Sequence, residues 1–101
     1  MVVTMSVAFA AIIAFGVWYL VYGLECFING GMGGWELPFR CLWDDIRFNS
    51  PGGWQRRLRA VNGDEDWARQ FPGIKHVVAM HVLFPVIVYI VAFSLIRLVL
   101  P

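Results

Sequence analysis

Charge is what this sequence has least of, and it is absent in two long blocks. No acid precedes Glu25 and no base precedes Arg40. A second gap runs from Val77 to Ile96, 20 residues without Asp, Glu, Lys or Arg and broken only by His81. Charged residues make up 15% of the 101-residue chain and apolar ones 59%, against about 25% and 45–50% in a soluble domain, so an ordinary soluble surface is excluded. Cysteine is scarce as well. Cys26 and Cys41 are too few for a disulfide framework, and no CxxC or zinc-like spacing exists. A formal net charge of +1 excludes a nucleic-acid binder driven by bulk electrostatics. Catalytic constellations are missing too: no Ser/His/Asp set, no metal cluster, no phosphate loop. The glycines between Gly30 and Gly34 lead into Trp35-Glu36-Leu37-Pro38, without the Lys and Ser or Thr that such a loop needs. The chain reads as a non-enzyme, with no cofactor of its own and no small-molecule substrate.

What is present begins with the two uncharged blocks. A hydrocarbon core of ~30 Å takes about 20 residues of helix, and both blocks reach that length. The first, Val2 to Leu24, is longer than the apolar stretch of a signal peptide and lacks a basic lead-in, so it reads as an uncleaved anchor. The expected first helix runs from about Val3 to Phe27 or Ile28 and stops at Asn29-Gly30-Gly31. Along it Ser6, Ala10 and Ala14 recur every fourth residue, a stripe of small side chains that lets another helix approach closely. Trp18, Tyr19 and Tyr22 suit the headgroup region. The second helix starts near Ile74, after the break at Phe71-Pro72-Gly73, and runs to about Leu98. Pro85 predicts a kink across Ala79–Pro85, since it has no N–H and crowds the carbonyl of His81.

The connection between them holds four of the five tryptophans, Trp35, Trp43, Trp54 and Trp67. In Leu37 to Asn49, Phe39, Leu42, Trp43 and Ile46 follow a helical period, with Arg40, Asp44, Asp45 and Arg47 expected on the opposite, wet side. A second short helix is expected in "WQRRLRAV", with Arg56, Arg57 and Arg59 opposite Trp54, Leu58 and Val61. Asn62-Gly63 turns the chain, and Asp64-Glu65-Asp66 opens a third piece with acids at its N-terminus, where the helix dipole favours them. The charges of these two pieces are expected to answer each other or a neighbour. The expected fold class is therefore an all-α integral membrane protein. It is a two-transmembrane-helix hairpin of residues 1–28 and 74–101, joined over 29–73 by an interfacial amphipathic bridge of short helices. Seven of the eight Lys and Arg residues lie between Arg40 and Lys75, in that bridge and just past its end, which the positive-inside rule places on the matrix or cytoplasmic side of a mitochondrial inner or bacterial cytoplasmic membrane.

Few side chains offer chemistry. His76 and His81 stand five apart, about 140° around a helix, so they cannot share a ligand. His76 reads as interfacial. His81 is the one candidate to donate a single ligand to a haem or pigment held elsewhere, although a structural hydrogen bond to a neighbouring chain is the expected role. Glu25 is expected to pair with Lys75 or a bridge arginine, and the two cysteines to be unpaired thiols unless the bridge faces an oxidising compartment. Arg56, Arg57 and Arg59 beside Trp54 are expected to meet anionic phospholipid, cardiolipin among the candidates. Taken together, the chain resembles in layout the small supernumerary subunits of respiratory, ATP-synthesising or photosynthetic complexes. That resemblance implies a non-catalytic accessory role among other membrane subunits. A small self-assembling pore of the holin kind is the alternative, although neither helix has a polar face to line water.

Overall fold

The computed structural model describes residues 2–31 and 33–99, and those residues form helices joined by turns, with no strand among them. In chain order they are α1 (Val2–Ile28), α2 (Leu37–Phe48), α3 (Gly53–Ala60), α4 (Glu65–Gln70) and α5 (Ile74–Val78), followed by a π-helical turn (Ala79–Leu83) and α6 (Phe84–Val99). Met1, Met32, Leu100 and Pro101 belong to the three expected segments and lie outside the described residues.

The ends of these helices follow from local backbone chemistry. At the end of α1, Gly30 adopts a φ of +91°, closed to most residues with a Cβ. The Gly31 N–H then donates to the Cys26 carbonyl at 2.8 Å and the Gly30 N–H to the Phe27 carbonyl at 3.1 Å. This is the Schellman closure, and it satisfies two of the carbonyls a helix end leaves open. Asn62 repeats it after α3 with a φ of 56°, the Gly63 N–H reaching the Leu58 carbonyl at 2.7 Å. Asp64 caps α4 by accepting the Trp67 N–H at 3.2 Å. The irregularity expected around Pro85 takes a particular form: a π turn just before it, in which the Phe84 N–H donates to the Ala79 carbonyl five residues back. The wider turn gives the proline ring room that an α-turn would deny it.

α5, the π turn and α6 together return along α1. Glu25 meets His76, Trp18 meets His81, and Ala14 shares a cavity with Pro85 and Tyr89, so the two rods are antiparallel. Ser6, Ala10 and Ala14 are all buried in the seam of α1, which continues at the same four-residue spacing through Trp18, Tyr22 and Cys26. Small residues admit α6 and its buried Ala92 along one half, and aromatic residues fill the other half, where α2 also packs. α3 rests on α2 and α4 on α3, which extends the molecule to 57 × 26 × 17 Å.

Among the described residues, two helices are long and apolar enough to cross a membrane, α1 and the rod ending in α6. Pairing leaves most of their apolar surface uncovered: Leu20 is 69% and Ile87 59% exposed, and Ile12, Ile90 and Leu95 are similarly open.

Candidate functional site

The most highly built part of the molecule lies where α1, α2 and the π turn meet. The apolar period of α2, Phe39, Leu42, Trp43 and Ile46, is divided between the hairpin and the outside. The buried residues of this helix are Leu37, Pro38, Asp45 and Phe48; Phe39 lays its ring among Phe15, Trp18 and Tyr19 of α1 and Leu42 packs on the core, whereas Trp43 and Ile46 point outward, Trp43 at 60% exposure. Asp45, expected on the wet side, is only 6% exposed. The reason is that α1 and the π turn offer polar partners there, and a buried carboxylate needs them. The Tyr22 hydroxyl donates to Asp45 Oδ2 at 2.5 Å, and His81 Nε2 lies 3.1 Å from the same oxygen. The Trp18 indole N–H donates to His81 Nδ1 at 3.0 Å.

The direction of this chain of bonds is fixed by the donor inventory. An indole nitrogen can only donate, so His81 Nδ1 must be the acceptor and carries no proton. Nε2 then holds the ring proton and gives it to Asp45, which makes His81 the neutral Nε2–H tautomer. The rings reinforce the arrangement. Tyr22 meets the His81 ring edge-on at a centroid distance of 4.5 Å, and Trp18 stacks on Tyr22 at 5.5 Å. Trp18 and Tyr22, expected among the lipid headgroups, are instead buried at the centre of the fold with their polar tips occupied.

His81 therefore bonds within its own chain, not to a neighbour. A haem or pigment ligated by it would have to displace either Trp18 or Asp45. An apolar cavity of about 460 Å³ opens beside it, lined by Ala14, Phe15, Trp18, Pro85 and Tyr89 among others. The other histidine is also engaged: His76 Nε2 lies 2.8 Å from Glu25 Oε1, so the partner of Glu25 is His76 and not Lys75 or an arginine. Behind Tyr22 the free thiols of Cys26 on α1 and Cys41 on α2 line one pocket. Spacing along the sequence gave no sign of that shared pocket.

The basic residues of the bridge divide into two kinds. Arg57 spans three acceptors, the Phe48 carbonyl at 3.0 Å, Asn49 Oδ1 at 3.0 Å and the Pro72 carbonyl at 3.1 Å. Arg56 donates to the Arg47 and Pro51 carbonyls, both at 3.0 Å. They thus close the carbonyl end of α2, where cations are favoured. Arg59 is exposed. The acids of α4 do not answer these arginines: Glu65 and Asp66 lie 3.6 and 3.8 Å from Arg69 on their own helix, with all three side chains exposed. Trp35, Trp43, Trp54 and Trp67 are all exposed, spread along the bridge.

Among the described residues no group of His, Cys, Asp and Glu is arranged to hold a metal ion. No protein-family model, curated protein or solved structure matches this chain.

Proposed function

We propose that this chain is an integral membrane α-hairpin serving as a non-catalytic accessory subunit. It would pack at the rim of a large energy-transducing complex in a mitochondrial inner or bacterial cytoplasmic membrane, with the bridge on the matrix or cytoplasmic side. The observation that carries the reading is the uncovered apolar surface of α1 and α6. Side chains such as Ile12, Leu20, Ile87 and Leu95 would be costly in water and cost nothing in lipid or against another apolar helix.

Two further features support a role in packing. The polar groups at the heart of the fold are spent on one another, as donors and acceptors of a closed network. Such a network holds α2 in place, and α2 in turn presents Trp43 and Ile46 outward. Aromatic residues of this kind, displayed on a fixed helix, make good anchors against other proteins and the lipid interface.

Extraction from the native membrane in mild detergent, followed by native electrophoresis and mass spectrometry, tests the proposal. Migration with a complex of many different subunits supports it. A ring of identical chains would replace it with a pore, and a visible absorbance band lost in His81→Ala would replace it with a ligand-donating subunit.

A further inference from the structure

The outer corner of α2 and α3 holds a concentration of positive charge that the fold leaves unanswered. Arg47, Arg56 and Arg59 line one cavity of about 370 Å³ together with Ala60. Among the described residues, none of the three arginines forms an ion pair; the acids that do pair are taken by Arg69, His76 and His81. Arg47 Nε is covered by neighbouring atoms and has no hydrogen-bond partner. Arg56 spends one nitrogen, Nη1, on the Arg47 and Pro51 carbonyls, which fixes its guanidinium at the wall of the cavity. Three like charges around one space repel each other, and a shared anion would turn that repulsion into attraction.

We infer that this corner is a phosphate-group site, built from Arg47, Arg56 and Arg59. Guanidinium groups match phosphate oxygens in charge and in planar, paired donor geometry, and the several oxygens of one phosphate can be shared among three arginines. The set differs from the arginine triplet picked out by sequence, because Arg57 is turned inward to the backbone and Arg47 comes from the preceding helix. The phosphate belongs either to the headgroup of an anionic phospholipid or to a free phosphate in solution. The lipid source rests on the proposed membrane placement; the site's chemistry does not.

The test uses the full chain reconstituted in phosphatidylcholine nanodiscs doped with phosphatidylglycerol or cardiolipin, read by native mass spectrometry after release. Wild type is expected to retain anionic lipid, with retention falling about fivefold on loss of each arginine in Arg47→Gln and Arg59→Gln. Arg69→Gln removes the same charge from a residue outside the cavity and is expected to change nothing. A parallel titration with inorganic phosphate in neutral detergent reads the same site without lipid. Phosphate binding that is lost in Arg47→Gln, without selective lipid retention, assigns the site to a soluble phosphate. Equal lipid retention in all variants, with no phosphate binding, overturns the inference. A chain that fails to enter nanodiscs yet binds phosphate through Arg47 sinks the membrane reading and leaves the site standing.

Discussion

At the scale of single residues, Asp45 decides how the molecule holds together. It is a carboxylate in an aromatic and apolar setting, and Tyr22 and His81 both direct protons at one of its oxygens. Removing it strands two buried donors at once. Asp45→Ala should therefore destabilise the chain by about 2–4 kcal/mol in detergent unfolding, since it leaves two neutral donors, the Tyr22 hydroxyl and His81 Nε2–H, without an acceptor. Tyr22→Phe should cost less, about 1.5–3 kcal/mol, because Asp45 keeps His81. If Asp45 and Tyr22 act through their shared bond, a double-mutant cycle returns a coupling above about 0.5 kcal/mol; strict additivity would contradict the geometry. The shared pocket of Cys26 and Cys41 makes a separate prediction. A small disulfide oxidant should take two hydrogens from the pair and form one intramolecular bond, seen as blocked alkylation and a mass lower by two hydrogens. Cys26→Ser and Cys41→Ser should each abolish it, and two thiols that still alkylate after oxidation would refute the approach of α1 and α2 drawn here.

At the scale of elements, the joints are as constrained as the helices. A Cβ on Gly53 would lie 2.3 Å from the Phe48 carbonyl oxygen, so Gly53→Ala must push α3 away from the end of α2. A loss of about 1–3 kcal/mol is expected in thermal unfolding, with an unchanged midpoint as the contrary result. In the seam, Ala10 is fully buried, and Ala10→Leu should force α6 off α1 at a similar cost. Helix ends such as Asn29-Gly30-Gly31, Asn62-Gly63 and Asp64 were legible in the sequence because the residues that make them act on their own backbone. The inward face of α2 was not. Its apolar period is real, yet Trp43 and Ile46 turn outward while Asp45 turns inward, because the partners that draw Asp45 in stand 23 and 36 residues away. Distance in sequence likewise hid the role of Trp18, 63 residues from His81, and the pairing of Glu25 with His76, 51 residues away. Periodicity reports that a helix has an apolar face, but not what lies beside it.

At the scale of the whole molecule, the account depends on what surrounds the hairpin. Among the described residues, two helices long and apolar enough to cross a membrane bury little of themselves against one another, while the segment joining them, 29–73, carries six of the eight Lys and Arg residues. The most direct measurement is a spin-label scan along α1 and α6 in a lipid bilayer, comparing collision with oxygen and with a water-soluble nickel complex. Labels at Ile12, Leu20, Ile87 and Val91 should show high oxygen and low nickel accessibility, with a maximum in their ratio midway along each rod, while labels on α3 and α4 should show the reverse. Nickel reaching the middle of either rod as readily as it reaches the bridge would contradict the hairpin's place in the membrane, and the accessory role with it.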